Sequence, residues 1–331
     1  MISLWFSIFV LIVLVLIPLA GANIAGLRVI FGIVIPYAAI VTFLAGFVYR
    51  VLKWAQAPVP FRIPTTCGQQ KSLPWIKNNN LESPHNTLGV IGRLALEIFF
   101  FRSLFRNTKA EMKEGPKLVY GSSKWLWAAG LAFHYTFLVI FIRHFKFFVE
   151  PIPGWVSAVQ NLDGFFQISL PVIYTTDIAI LAAVGYLFFR RIFEAKIRYI
   201  SIAADYFPLL LIAGIATTGI LMRYFIKVDI VSVKQLGVGL LALNPVLPEG
   251  ISPLFYLHLF LVSTLIAYFP FSKLMHLGGV FLSPTRNLAN NNRERRHLNP
   301  WNYDVKVHTY EEYEDEFRKV MKAAEMPLEK Q

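Results

Sequence analysis

Residues Leu257–Leu277 read LHLFLVSTLIAYFPFSKLMHL, an apolar stretch with a histidine near each end, His258 and His276. About 20 consecutive apolar residues suffice to cross a bilayer as a helix. An ionisable side chain in such a helix is costly, and each one marks a function to be identified. What these two imidazoles serve is decided by the rest of the chain.

The chain has 331 residues, 56% hydrophobic and only 16% charged, with a mean hydropathy of +0.52. This composition excludes an ordinary soluble domain. Six apolar segments reach spanning length, at roughly 3–22, 28–49, 125–149, 168–189, 206–226 and 254–275. Their apolar runs are continuous rather than alternating, which excludes a β-barrel. The expected fold class is an all-α integral membrane protein with six transmembrane helices.

A net charge of +12 would point to nucleic acid in a soluble protein. Its distribution points instead to lipid. Arg50–Lys124 holds 12 Lys/Arg against 4 Asp/Glu, Arg190–Asp205 holds four, and the chain after His276 holds nine. The remaining connections contribute only Arg28, Lys227 and Lys234. By the positive-inside rule both termini, the long second connection and 190–205 are cytoplasmic, in the plasma membrane of a cell, and no nucleic-acid partner is expected. The first segment has no basic residue before it and a long apolar run, so it reads as a retained helix rather than a signal peptide.

The chain divides into two N-terminal spans (1–49), a cytoplasmic connection (50–124), a four-helix membrane core (125–285) and a cytoplasmic tail (286–331). The connection opens with proline-rich, polar sequence and then reads GVIGRLALEIFFFRSLFRN. There Leu94, Ile98, Phe101 and Phe105 recur at helical spacing with Arg93, Glu97, Arg102 and Arg106 between them. That pattern is an amphipathic helix, lying either in the membrane interface or buried in a small cytoplasmic subdomain. In the tail a short helix is expected over 310–325. No internal repeat is apparent, and unequal loop lengths argue against a repeat-built transporter.

The single cysteine, Cys67, cannot build an iron–sulfur cluster or a C-x-x-C-H haem attachment. Redox chemistry here must rest on a cofactor held without sulfur. Of seven histidines, His85, His297 and His308 fall in polar loop or tail and read as solvated. The other four, His134, His144, His258 and His276, occupy only the third and sixth spans. These run antiparallel, so His134 and His276 lie towards the cytoplasm, and His144 and His258 towards the outside. Two cross-helix pairs at two depths form an arrangement that holds two b-type haems, each iron taking one imidazole from either helix. Single membrane histidines also hydrogen-bond across helices, but that leaves the two-by-two pattern unexplained. The eighteen-residue spacing of the sixth span is five turns, placing both histidines on one helix face. At about 1.5 Å per residue the two spacings are near 15 and 27 Å; tilt and a kink at Pro270 are needed to bring both pairs into register.

The sixth span, FYLHLFLVSTLIAYFPFSKLMHL, resembles the membrane subunit of respiratory nitrate reductase, the gamma-chain family of dihaem cytochromes b. The likeness rests on the two histidines, the stretch Phe269-Pro270-Phe271-Ser272 with Lys273, the ten-residue histidine spacing of the third span, and RRIFEAKIRYISIAAD at Arg190–Asp205. It covers roughly 30–285. The resemblance implies two haem b groups, the inner ligated by His134 and His276 and the outer by His144 and His258, with Arg191 near the inner haem propionates. It also implies electron transfer between a quinol at the outer side and an iron–sulfur partner inside. The chain departs from the nitrate reductase pattern in an extra N-terminal span, a longer second connection, and a loop 150–167 without the lysine that nitrate reductase places near its quinone. The first two departures resemble the cytochrome b subunit of the sulfite-reduction-associated membrane complex and its heterodisulfide-reductase-like menaquinol-oxidising relatives. That implies menaquinol, a cytoplasmic iron–sulfur subunit resembling heterodisulfide reductase, and further membrane and periplasmic redox subunits as partners.

Near the outer pair, Arg143 and Arg223 are candidates to bind haem propionates, since arginine grips carboxylates bidentately; Arg223 could equally snorkel to the interface. Asp177 reads as a mid-span acid able to accept a quinol proton or to hydrogen-bond a neighbouring helix, and Asp163 in the outer loop is a second proton candidate. Three functions are consistent with the residues: an electron-transfer subunit of a larger quinol-oxidising reductase, a histidine-relay proton transporter, or a passive anchor. Haem content separates the first from the others.

Overall fold

The computed structural model describes residues 2–57, 68–106, 109–165, 172–294 and 307–330; Cys67 and His297 lie outside these. The chain is a helical membrane bundle. Helix α1 spans Ile2–Gly21 and α2 Gly26–Ala55. A widened π-helical turn at Ile30–Val34 precedes Pro36, whose ring and missing N–H break the regular ladder. Helix α3, Thr87–Phe100, starts where the Asn86 side chain accepts from Gly89 N at 2.8 Å, satisfying one of the helix's free donors. A hairpin of β1 (Lys109–Lys113) and β2 (Lys117–Gly121) follows, antiparallel with Met112 opposite Leu118. Then come α4 (Lys124–His144), α5 (Gly154–Asp163), α6 (Thr175–Phe193), α7 (Ala203–Tyr224), α8 (Ile230–Leu241), α9 (Pro253–Tyr268), α10 (His276–Leu282) and α11 (Tyr310–Ala323). The tail helix α11 matches its expected position, opened by a Thr309–Glu312 capping box.

Among the described residues five helices are long and apolar enough to cross a membrane: α1, α2, α4, α7 and α9. The fourth expected segment, 168–189, differs. Its helix, α6, begins only at Thr175 and extends to Phe193. At 19 residues it has the length, but it brings in Asp177, Arg190 and Arg191. Even so it packs inside the bundle, between α4 and α7.

The helices are arrayed α4–α6–α7–α9–α2, with α1 in the groove between α7 and α9. Between membrane helices, close packing rather than water exclusion supplies the attraction. Gly214 of α7 allows it: a Cβ there would stand 3.6 Å from both Leu11 of α1 and Leu261 of α9. Leu211, Leu257 and Leu261 form the buried centre of this contact. A second cluster, Ile180, Val184 and Ile212 with Phe133, Ile140 and Leu265, ties α4, α6, α7 and α9 together at mid-depth. Outside, α1 leaves Trp5, Phe9, Ile12 and Leu16 exposed, the face of a multi-pass membrane protein turned to lipid.

One end of the bundle is basic. There Ser7 Oγ meets the carbonyl of Ala203 at 3.3 Å, Lys273 pairs with Asp205 at 2.7 Å, Arg286 pairs with Glu97 at 3.1 Å, and Asn290 N donates to Pro84 O at 2.6 Å. The start of α1, the connection holding α3, and the chain beyond α10 therefore share this end.

The sixth expected segment is not one helix. α9 stops at Tyr268, a 3-10 turn covers Phe269–Phe271, Ser272 is extended, a second 3-10 turn covers Lys273–Met275, and α10 starts at His276. Pro270 is the cause, since it cannot donate to the ladder and its ring displaces the preceding turn. Ser272 Oγ caps the new start, accepting from Leu274 N at 3.1 Å. The break is seated on α2: a Cβ on Gly46 would lie 2.7 Å from Cβ of Pro270. His258 and His276 thus do not share a face of one continuous helix, and five-turn periodicity is not what aligns them.

Candidate functional site: two histidine pairs between α4 and α9

The four span histidines meet in pairs. His144 of α4 and His258 of α9 have ring centroids 6.3 Å apart and planes 13° from parallel. At the basic end His134 and His276 stand 5.9 Å apart at 81°. The register problem is solved by the break at Pro270. Ten residues separate His134 from His144, and ten carry α9 from His258 to its last residue, Tyr268. The remaining eight fold into turns that return His276 to His134.

Each ring is held through Nδ1. His134 Nδ1 lies 2.7 Å from Gly130 O, His144 Nδ1 2.7 Å from Ile140 O, and His276 Nδ1 2.8 Å from Lys273 O. A carbonyl only accepts, so all three Nδ1 atoms carry the proton. His258 Nδ1 lies 2.8 Å from Thr218 Oγ1. That hydroxyl spends its own proton on the carbonyls of Gly214 and Ile215, both at 2.9 Å, so it accepts from His258. All four histidines are thereby fixed in the tautomer whose Nε2 lone pair is free, the state a metal-ligating imidazole needs.

An imidazole nitrogen coordinates a metal at about 2.0–2.1 Å, so two rings gripping one ion from opposite sides would have centroids about 6 to 6.5 Å apart; the outer pair at 6.3 Å meets this and the inner pair at 5.9 Å falls just short of it. The donor set also suits haem better than a bare ion: among the described residues no three of His, Cys, Asp and Glu stand together, whereas haem iron needs only two axial ligands beyond its macrocycle. Aromatic rings line the pairs. Phe101 and Phe133 meet His134 edge-on at 4.9 and 5.0 Å, and Phe147 meets His144 at 5.8 Å. Gly219 faces His258, where a Cβ would touch Cε1 at 3.4 Å.

Beside the outer pair lies a buried ionic cluster. Arg143 reaches Asp163 Oδ2 through Nε at 3.1 Å and Asp177 Oδ1 through a terminal nitrogen at 3.0 Å. Asp177 also accepts from the Tyr224 hydroxyl at 2.7 Å. Asp163 accepts from Thr175 Oγ1, Thr176 N and Thr176 Oγ1 at 2.8, 2.9 and 2.6 Å. The guanidinium carbons of Arg143 and Arg223 stand 3.8 and 3.9 Å from the centroid of Tyr174. Two cations that close must take opposite faces of the ring, each attracted by its π-electrons. Arg223 also donates to Val172 O at 3.0 Å.

This changes the reading of four residues. Asp177 is not mid-span: it stands in the first turn of α6 and is ion-paired. Asp163 is not in open loop but ends α5 and is buried. The Arg143 guanidinium is taken up by the two carboxylates and Tyr174, and Arg223 is held by Tyr174 and Val172. At the basic end Arg191 contacts Ser201 Oγ at 3.2 Å and Asp205 at 3.7 Å.

Two cavities open around α5. One, of about 270 Å³, is lined by Lys146, Phe147, Ile152, Val156, Ser157 and Gln160, together with Ile230 and Lys234 of α8. The other, of about 240 Å³, is lined by Gln160, Gly164, Val172, Tyr174 and Arg223 among others. Lys146 Nζ donates to Gln160 Oε1 at 2.8 Å. The loop 150–167 holds no lysine of its own, but Lys146, in the 3-10 turn Phe145–Phe147 that follows α4, supplies one to the same space. Lys146, Gln160 and Thr218 escaped the sequence reading because nothing in their spacing marks them. Lys146 alone carried a signal, as a charge two residues beyond His144.

The sequence profile of the nitrate reductase gamma subunit family matches residues 90–293, a stretch that takes in most of α3 and all four paired histidines. An Archaeoglobus fulgidus protein, "Hdr-like menaquinol oxidoreductase cytochrome b-like subunit", is 45% identical over 280 residues, covering 82% of this chain and 83% of its own length. A protein of the same name from Archaeoglobus profundus is 40% identical over 274 residues, covering 81% of each. The chain belongs to the nitrate reductase gamma subunit family.

Proposed function

We propose that the protein is a dihaem cytochrome b subunit that passes electrons from menaquinol at the outer end of the bundle to a partner at the basic, cytoplasmic end. The observation that carries this is the four-fold pattern at the histidines: each Nδ1 has a fixed partner, and the rings pair with centroids 6.3 and 5.9 Å apart. His144 and His258 hold the outer haem b, and His134 and His276 the inner. When bound, each haem supplies a one-electron carrier.

The protein's own residues orient and insulate these carriers. Gly130, Ile140, Lys273 and Thr218 set the rings, and Phe133, Ile140 and Leu265 pack the space between the two levels. Menaquinol binds in the cavity beside Phe147, next to the outer pair, with Lys146 and Gln160 as polar contacts and Ile152, Val156 and Ile230 as apolar walls. Oxidation releases two electrons and two protons, the protons leaving to the outer side. Asp163 and Asp177, each paired to Arg143, shape the floor of this region and serve as acceptors only if that pairing opens. Arg191 stands near the inner haem propionates; Arg143 and Arg223 would reach the outer ones only by giving up their contacts with Asp163, Asp177, Tyr174 and Val172.

Both termini are assigned to the cytoplasmic side of the plasma membrane in this reading, and the basic end supports that side by the positive-inside rule. The relatives are named as subunits of an Hdr-like menaquinol oxidoreductase, which supports an acceptor resembling the iron–sulfur subunit of heterodisulfide reductase, with further membrane and periplasmic redox subunits, in sulfate or sulfite respiration. The chain is then an electron-transfer subunit rather than a complete enzyme.

The test is a reduced-minus-oxidised spectrum of the purified chain with haem quantified as pyridine hemochrome. Two b haems per chain are expected, falling to one in His134→Ala and in His258→Ala. A correctly inserted chain that holds no haem, expressed with haem in supply, overturns the assignment in favour of a proton relay.

A further inference from the structure

Against one ring of the inner pair, whose two imidazoles are otherwise open, stands a residue in a backbone conformation that its side chain does not favour. Phe101, between α3 and the short helix Arg102–Phe105, has φ 48° and ψ 46°. This is the left-handed region, where a bulky residue is rarely found and which glycine enters freely. Helices commonly end in this conformation, but with glycine in the place. A bulky residue in this region is strained, and the reason for it is to be sought in what its ring touches. The ring lies edge-on against His134 with centroids 4.9 Å apart.

The surrounding contacts hold the terminus of α3 against α4. The Trp127 indole N–H donates to Phe100 O at 2.7 Å, and the Tyr135 hydroxyl to Phe99 O at 2.9 Å. These acceptors are among the last carbonyls of a helix, which have no partner within it. Phe105 packs on Trp127 at 4.9 Å. Glu97 receives Ser103 N at 3.2 Å and pairs with Arg286 at 3.1 Å. Leu104 lies 3.5 Å from where a Cβ would stand on Gly130, and the Gly130 carbonyl is the one that orients His134. The cap therefore touches both the ring of this ligand and the residue that sets its tautomer.

We infer that the end of α3, with Phe101 at its tip, is a cap over the inner haem that excludes cytoplasmic water and fixes the plane of the His134 ring. Phe101 is a positioning residue: it acts through His134 and through local dielectric, two of the levers by which a protein sets haem potential. This inference rests on the dihaem reading, in that His134 must be a ligand.

The test uses the full chain in detergent or nanodiscs, by redox titration and low-temperature EPR. Phe101→Gly keeps the backbone comfortable and removes the ring. With water admitted, the more charged oxidised state is favoured, so the midpoint of one haem falls and its low-spin EPR signal shifts, while the other haem is unchanged. Trp127→Phe, which removes the hydrogen bond to Phe100 and part of the packing on Phe105, gives a smaller shift at the same haem. Phe101→Tyr, which keeps the ring, restores the wild-type midpoint. Two full haems with both midpoints and both signals unmoved in Phe101→Gly overturn the cap. Equal shifts at both haems do so too, since they report a general loosening. If Phe101→Gly fails to hold haem, Trp127→Phe decides alone, and an unmoved inner midpoint there overturns the cap. A wild-type chain without haem overturns the dihaem reading itself, an outcome distinct from all of these.

Discussion

His258 donates Nδ1–H to the Thr218 hydroxyl at 2.8 Å, across forty residues of sequence and from α9 to α7, whereas the other three paired histidines donate to a carbonyl within four residues of themselves. One imidazole of the outer pair is thus oriented by tertiary structure and the other three by their own local backbone. Thr218→Val removes the acceptor and keeps the shape. A buried donor left without a partner costs about 1–3 kcal/mol, and loss of such an orienting group typically weakens a metal site about 10–100-fold. The expected outcome is selective loss of the outer haem, read by hemochrome content and by the disappearance of one EPR signal. A variant retaining both haems with unaltered signals contradicts the role given to Thr218.

The ionic cluster at the outer end makes a prediction about stability rather than cofactor. Arg143 is buried and holds two carboxylates, Asp163 buried and Asp177 half-buried. Removing one partner of a buried pair strands the remaining charge, at about 3–5 kcal/mol. Arg143→Gln is expected to lower the thermal midpoint of the purified protein strongly. Arg143→Gln combined with Asp177→Asn is expected to recover part of the loss, because one of the two stranded charges is gone. Double-mutant analysis of detergent-solubilised melting curves measures this, and additive losses contradict it.

The break in the sixth segment yields the next test. Gly46 makes room for Pro270, with a Cβ at position 46 falling 2.7 Å from Cβ of the proline. Gly46→Leu must push the break away from α2, and overpacking of this kind costs about 1–3 kcal/mol. His276 lies six residues past the proline on the displaced segment, whereas His258 lies in the undisturbed helix. Haem content should fall from two towards one, with the outer haem retained. Equal loss of both haems would show that the break does not position His276.

How far the sequence foretells this arrangement can be judged at the same residues. Apolar runs and the histidine spacings are local signals, and they sufficed for a helical membrane bundle with His134 facing His276 and His144 facing His258. The kink at Pro270 was foreseeable from one residue type, but the two 3-10 turns and extended Ser272 depend on how α2 receives the proline. The fourth apolar segment began later than its hydropathy implied, so Asp177 came to stand in the first turn of α6 instead of at its middle. Asp163, Asp177, Arg143 and Tyr174 come from three helices and a loop, and their meeting is a property of the packed bundle. Phe101 was legible as one member of an apolar stripe, not as a ring turned onto His134. Its left-handed backbone has no signature in a sequence that lacks glycine there.

The cavity beside Phe147 gives the last prediction. Lys146 and Gln160 are joined at 2.8 Å and line its polar part, so a quinol oxygen bound there would exchange with that contact. Hydrogen bonds to charged groups contribute about 1.5–3 kcal/mol, which corresponds to a loss on the order of 10- to 100-fold in affinity when the lysine is removed. Lys146→Met retains the apolar stem and removes the ammonium group. With a water-soluble menaquinol analogue as donor, haem reduction by this variant should show a KM raised by that factor, with haem content and both midpoints near wild type. If Lys146 acts instead by supporting His144 through the end of α4, the outer midpoint moves and KM does not. Gln160→Leu separates the readings further, since it lies on α5 away from the ligands. A raised KM in both variants places the quinol between these two side chains. An unchanged KM in both removes this cavity from consideration and leaves the one beside Tyr174 and Arg223 to be tested in the same assay.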